Sequence, residues 1–303
     1  MSLNNLKSII FRVYRRLVIR STLNIKFGHY FYENDGGFIA NIIGRYVWNR
    51  DSTAAKKDGF VSRKNIFSDQ LNKEGFVFYD GLIDSIVVNE LSYHWNLYCK
   101  TQEMPQDYRL QLSSVESLDE IKSNFSILHK TLNNEIIDIV QQFLKSYLRI
   151  LNIHIYRITT PNKNMMETAY GNTGNWHTDG STSESLKIMI LLSDVSERHG
   201  PMSLINLSNT RKIIKNHNFK YTAKESNSFI DNNFSPVVYT GKKGLVMIAR
   251  TNECFHKATI PEIGNNRDIL TFYVTTSSKK IKTDKILDDC KYNEFYGPKR
   301  IFL

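Results

Sequence analysis

Cysteine is scarce in this chain. Cys99, Cys254 and Cys290 are the three in 303 residues. An odd number cannot all pair, and their spacing fits no metal-binding pattern. That argues against a disulfide framework and for a reducing compartment, so the cytoplasm is expected. Proline and glycine, with six and fifteen residues, gather nowhere into a linker or low-complexity tract, and no internal repeat is visible. No apolar run reaches the ~18 residues of a transmembrane helix. Arg12, Arg15 and Arg16 break the apolar stretch near the start, which excludes a secretory signal. What remains is a chain with 41% hydrophobic residues, enough for one enlarged domain or two small ones.

Acidic residues are missing from the first 32 positions. That segment carries Lys7, Arg12, Arg15, Arg16, Arg20 and Lys26, six of the formal net charge of +10. Leu3, Leu6, Ile10, Val13 and Leu17 recur at three- and four-residue steps, so the segment predicts a basic amphipathic helix over residues 3–20. Two readings stay open. The helix lies on an anionic membrane surface, at the inner face of the membrane, or it packs on the rest of the protein with its arginines in water. Nucleic acid is a weaker third partner: Phe11, Tyr14 and Phe27 are interspersed, but no nucleic-acid-binding motif accompanies them. Residues 1–65 read as a basic helical extension and residues 66–303 as the functional domain.

The chemistry concentrates in two places. GNWHTDG, Gly174 to Gly180, supplies His177 and Asp179, and FHKATIPEIGNNR, Phe255 to Arg267, supplies His256 and Arg267. A His-any-Asp triplet alone is common and often marks two solvated polar residues. Its context sharpens it. On an extended segment His177 and Asp179 point to the same side, and each of the four residues lies beside a strand-like run. Two imidazoles and a carboxylate on one side of a metal leave the other side open, the ligand set of non-haem Fe(II) oxygenases. Arg267 can pair bidentately with a carboxylate, the far end of 2-oxoglutarate. Fe(II), 2-oxoglutarate and O2 are thus the expected cofactors and cosubstrates, and hydroxylation of an aliphatic C–H the expected reaction. Lys187 and Tyr156 are weaker candidates for further 2-oxoglutarate contacts, each with an ordinary explanation as a strand residue. A thiolate ligand from Cys254 is not expected; a small buried filler is.

Around these residues the predicted elements are strands at Asn152 to Arg157, Leu186 to Leu192, Val237 to Tyr239, Leu245 to Ala249 and Arg267 to Thr275. Helices are predicted from Asp84 or Ser85 to about Tyr98 and from Asn134 to Leu148. His154 reads as a packed or paired histidine. Thr101 to Gln111 reads as loop. Two polar stretches, Thr159 to Gly174 and Lys215 to Ser235, are candidate recognition segments, the second expected to be disordered.

In their order these pieces resemble the phytanoyl-CoA dioxygenase-like branch of the Fe(II)/2-oxoglutarate-dependent oxygenases. The matching text is Leu71 to Asp84, Asn175 to Gly180, Ser185 to Ile205, Cys254 to Pro261, and Arg267. The resemblance covers roughly Ile66 to Ser278 and departs at Asn206 to Asn209, where the family usually has a Gly-Ser-His-like turn. It implies a mainly β fold with flanking helices, a double-stranded β-helix (a cupin-like jelly roll) with iron at one open end. In size and ligand pattern the chain is also similar to bacterial hydroxylases of the Kdo sugar of lipopolysaccharide. That similarity and the basic segment together suggest a membrane-borne anionic substrate such as a lipid-linked saccharide. An acyl-CoA or small soluble metabolite is the alternative, and a non-catalytic jelly roll binding at a membrane surface is the alternative of another class.

Overall fold

The structure, a computed structural model, describes residues 38–102, 109–161, 174–179, 185–217 and 224–280. The helix expected over residues 3–20, Cys290 and most of the Thr159 to Gly174 stretch lie outside them. The first elements are α1 (Phe38–Lys57), α2 (Ile66–Lys73), β1 (Phe76–Tyr79), α3 (Ser85–Thr101), β2 (Arg109–Ser113), α4 (Ser114–Asn124) and α5 (Asn134–Leu144). There follow β3 (Tyr147–Thr159), β4 (Ser185–Leu191), β5 (Met202–Leu204), α6 (Leu207–His217) and α7 (Lys224–Asn233). The last strands are β6 (Val237–Tyr239), β7 (Val246–Ala249), β8 (His256–Ala258) and β9 (Asn266–Ser277).

Helix starts are set by side chains that accept from otherwise orphaned N–H groups. Asn65 accepts from Phe67 and Ser68, Asp84 from Ile86, and Asn133 from Glu135 and Ile136. The helix predicted to Leu148 stops at Leu144, because Lys145 takes a left-handed conformation (φ 52°) and the apolar residues after it belong to β3. Thr101 to Gln111 is likewise not all loop: Arg109 opens β2. The stretch expected to be disordered, Lys215 to Ser235, contains the whole of α7. Its Ile230 is fully buried with Ile213 of α6 in a cluster around Trp176.

Two antiparallel sheets face each other. One runs β1-β7-β4-β9-β3-β2 and the other β6-β5-β8. Alternation gives the six-stranded sheet two different faces. Ile153, Ile155, Leu186, Ile188, Ile190, Leu270 and Phe272 point outward and pack under Val88, Leu91 and Trp95 of α3 and Ile136, Ile139 and Val140 of α5. Tyr156, Ile158, Met189, Leu191, Met247 and Ile269 point inward, against Met202, Leu204 and Tyr239 of the smaller sheet. Adjacent residues of β9 pin this register. Asp268 faces outward, where it accepts from Arg157 Nε (2.7 Å), Arg157 Nη2 (2.9 Å) and Trp95 Nε1 (3.1 Å). Arg267 therefore faces inward; a slip of one residue would exchange the two. Within residues 1–65, α1 docks on this assembly: Ser52 Oγ donates to the Lys145 carbonyl at 2.8 Å, and Asp51 Oδ2 accepts from Thr276 Oγ1 at 2.9 Å.

Candidate metal centre

His177 and His256 come together through the backbone. Each N–H donates to the other's carbonyl, at 3.0 and 2.9 Å, an isolated antiparallel bridge that sets His177 beside β8. Asp179 N–H donates to the Thr251 carbonyl at 2.9 Å. The rings of His177 and His256 lie with centroids 4.3 Å apart, and ligand atoms of His177, Asp179 and His256 all fall within 4.8 Å of one another.

Each imidazole is oriented the same way. His177 Nδ1 donates to the Asn175 carbonyl at 2.8 Å and His256 Nδ1 to the Cys254 carbonyl at 3.1 Å. A proton held on Nδ1 leaves Nε2 as the lone-pair nitrogen, which is how a backbone carbonyl fixes a metal-binding tautomer. Burial pushes His256 down to about 3, against the nearby Asp179 charge that favours its protonation. It is neutral, as a ligand must be. Asp179 uses its two oxygens differently: Oδ1 faces His256 Nε2 at 3.7 Å, and Oδ2 forms an ion pair with Lys187 Nζ at 2.6 Å. Burial would raise this carboxyl, but the Lys187 ammonium and His256 outweigh it and hold the group well below the usual carboxylate range. Lys187 is in turn held above its ordinary value: burial works against its charge, and Asp179 more than offsets that.

The segment is backed by a packed wedge. Trp176, next to His177 in sequence, is fully buried; its N–H and Nε1 reach Asn227 and Asp231 of α7 at 2.6 and 2.9 Å. On the other side Cys254 is fully buried, its thiol pushed up to about 12 by burial, so it fills space and offers no thiolate. Gly75, at φ 86°, passes so close that a Cβ there would sit 2.1 Å from Cys254 Sγ. Glycine is required at that crossing on both counts.

Register places the remaining candidates on the inner face of the six-stranded sheet. Lys187 pairs with Tyr273, Met189 with Thr271 and Leu191 with Ile269 across β4 and β9; His154, Tyr156 and Ile158 of β3 lie opposite Thr271, Ile269 and Arg267. Lys187 thus stands at the end bearing the triad, on Asp179, and Arg267 at the other end near Tyr156. Arg267 is 2% exposed. Its Nε and Nη1 have no hydrogen-bond partner among the described residues, and burial pulls it down to about 10. It remains a cation at neutral pH with two donors unspent. Sequence reasoning passed over Arg109, inward-facing on β2 with its Cζ 4.5 Å from the Tyr156 ring centroid. The alternation Arg109-Leu110-Gln111-Leu112 was the available signal.

No protein-family model matches the chain, and no curated protein does. Solved structures do. EctD from S. alaskensis, with 2-oxoglutarate and 5-hydroxyectoine, aligns at TM-score 0.52 and 13% identity over 74% of this chain and 80% of that one. The non-heme alpha ketoglutarate dependent epimerase SnoN from nogalamycin biosynthesis aligns at 0.51 and 11%, over 70% and 80%. AviO1 from Streptomyces viridochromogenes aligns at 0.50 and 10%, over 73% and 98%. At such identities the likeness is one of fold: β sheets with flanking helices, arranged as in structures of iron- and 2-oxoglutarate-dependent enzymes.

Proposed function

We propose that residues 66–303 form a jelly-roll oxygenase of the phytanoyl-CoA dioxygenase-like kind, dependent on Fe(II) and 2-oxoglutarate, that hydroxylates an aliphatic C–H; residues 1–65 are its extension. One observation carries the reading. Three oriented ligand atoms converge at one end of a buried face, and that same face carries a buried guanidinium with unpartnered donors. The donor set fits the metal, with two imidazole nitrogens and one carboxylate oxygen. The orphaned Arg267 fits the distal carboxylate of 2-oxoglutarate.

Iron and 2-oxoglutarate, when bound, would supply the oxidising chemistry, consuming O2 and 2-oxoglutarate and yielding succinate, CO2 and a hydroxylated product. The chain supplies the rest. His177 and His256 present Nε2, and Asp179 presents Oδ1, while Lys187 holds Oδ2 and so fixes the carboxylate rotamer. Because Asp179 would supply a carboxylate ligand where a halide would otherwise bind, the site suits hydroxylation over halogenation. Arg267 orients 2-oxoglutarate by its far end. Ile269, Leu191 and Met189 make an apolar wall that keeps water from the bound groups.

The substrate reading of the sequence belongs to the same proposal: an anionic, membrane-borne glycolipid such as the Kdo sugar of lipopolysaccharide, met by the basic segment of residues 3–20. A soluble acyl-CoA or small metabolite is the alternative. A screen of both classes for a mass gain of one oxygen separates them. The test of the reaction class comes first. Purified protein given Fe(II) and 2-oxoglutarate should bind one of each and form succinate in air. His177→Ala, Asp179→Ala and His256→Ala should each abolish this while the protein stays folded. Wild-type succinate production by Asp179→Ala would overturn the ligand assignment. Binding without succinate, across the substrate screen, would leave a non-catalytic binding protein.

A further inference from the structure

The inner face of the six-stranded sheet holds more positive charge than the proposed reaction uses. Strand pairing puts Arg109 opposite Ile158, and Ile158 opposite Arg267. The three form one row across β2, β3 and β9, so the two arginines share a face, with Cα atoms about 10 Å apart at the usual strand spacing. Among the described residues the inward rows carry Arg109, Arg149, Lys187 and Arg267 and no carboxylate; Arg149 has contacts of its own. Lys187 has Asp179, which comes from the facing segment. One bidentate guanidinium satisfies one carboxylate, so 2-oxoglutarate, with one end at the metal and the other on Arg267, leaves Arg109 without a counter-charge among the described residues.

Arg109 is built to be held and left open. Its guanidinium lies over the Tyr156 ring at 4.5 Å, a contact that fixes the plane and leaves the N–H edge free. Its Nε is buried and has no partner among the described residues. Keeping two arginines this close in a low-dielectric cleft is unfavourable until anions arrive; the Arg109 charge adds to the depression that burial imposes on Arg267. Access differs between the two. Arg267 lies on a central strand and is 2% exposed, suited to a small cosubstrate. Arg109 lies on the edge strand and is only partly buried, within reach of a larger molecule. His154 adds a neutral donor to the same face. Its Nε2 accepts from Asn152 Nδ2 at 2.6 Å, because Asn152 Oδ1 already accepts from Ile153 N–H and Ser114 Oγ, both at 2.8 Å. The proton is therefore on Nδ1, which has no partner among the described residues.

We propose that Arg109 binds an anionic group, carboxylate or phosphate, of the primary substrate, in a subsite beside that of 2-oxoglutarate and distinct from it. This rests on the oxygenase reading above and narrows its substrate to molecules with such a group near the oxidised carbon.

The test is calorimetry under nitrogen on protein loaded with Fe(II) and saturating 2-oxoglutarate, titrated in one arm with inorganic phosphate and in the other with acetate. Wild type should bind one added anion, and the tighter arm tells phosphate from carboxylate. Arg109→Met should weaken that binding at least tenfold and change the 2-oxoglutarate Kd by no more than about twofold. Arg109→Lys, which keeps the charge and the fold, should fall between. Arg267→Met should do the reverse, losing 2-oxoglutarate. Wild type that binds no added anion overturns the proposal. So does an Arg109→Met or Arg109→Lys protein whose 2-oxoglutarate affinity falls tenfold with anion binding unchanged, since Arg109 would then be a second arm of the cosubstrate clamp. Wild type that takes up neither iron nor 2-oxoglutarate overturns the oxygenase reading itself, and this proposal with it.

Discussion

Asp268 and Arg267 are neighbours on β9, both about 2% exposed, and they meet opposite fates. On the outer face Asp268 is saturated by Arg157, by Trp95, and by Asn266 Nδ2 at 2.9 Å. On the inner face Arg267 holds two buried donor atoms with no hydrogen-bond partner among the described residues. The same strand thus builds a closed electrostatic unit under the helices and an open one facing the smaller sheet. A buried charge that is fully paired stabilises or roughly breaks even, whereas an unpaired one costs stability that folding must recover elsewhere. Costs of that kind collect at functional sites.

The comparison is sharpest if one member of each side is removed. Asp268→Ala should strand the Arg157 guanidinium, whose side chain is 18% exposed in the pair. A loss of about 3 kcal/mol is expected, the lower part of the range for breaking a buried pair, read from urea unfolding at neutral pH. A loss under about 1 kcal/mol would mean that the outer unit is no more closed than the inner one.

Arg267→Met should behave in the contrary way. It deletes an uncompensated buried cation and keeps an apolar stem, so stability should hold or rise by about 1 kcal/mol. The loss appears in ligand binding, where truncating one side of a buried charge pair costs roughly 2–5 kcal/mol. That is a rise of well over tenfold in the 2-oxoglutarate Kd, with Arg267→Lys restoring only part, since an ammonium cannot make the forked contact. A variant that unfolds easily yet still binds 2-oxoglutarate would put Arg267 among structural residues and dissolve the contrast.

The same division explains what the sequence made legible. Strands with apolar residues on both faces, β4, β7 and most of β9, were readable within a residue or two, because Leu186 to Leu192 and Leu245 to Ala249 carry the signal of a doubly covered strand. Short β2 was lost in a polar stretch, because its inward residues Arg109, Gln111 and Ser113 are polar where the site needs them. The candidate ligands His177, Asp179 and His256, whose ligand atoms lie within 4.8 Å of one another, were read from spacing on extended backbone, which survives without any knowledge of the fold. Local alternation could have shown that Arg109 lies on a strand, but its place beside Arg267 and Lys187's grip on Asp179 depend on register between strands far apart in sequence, which no local pattern carries. Helix α7 was missed for a different reason. KESNSFIDNN has few strong helix formers, and it is held by Ile230 under Trp176 and by Asp231 on the indole N–H, a tertiary contact overriding propensity.

The smallest expected effect concerns a charge the inner face refuses. His154 is pushed down to about 4, by burial first and then by Arg109 and Lys187. An unfolded chain protonates this histidine near its ordinary value of 6.5. As pH falls below 6.5, the unfolded state takes up a proton that the folded state declines until about 4. The stability due to neutral His154 is therefore complete above pH 6.5 and is lost progressively toward pH 4. His256, down to about 3, acts in the same direction in metal-free protein. His154→Gln keeps a side chain able to meet Asn152 and removes one titrating group. The metal-free variant should lose less stability between pH 7 and pH 4.5 than wild type does, by on the order of 1 kcal/mol in paired urea titrations. Equal losses in the two proteins would mean that His154 can be protonated in place. The inner face would then hold another cation without strain, and the argument that its positive charge awaits anions would lose one of its supports.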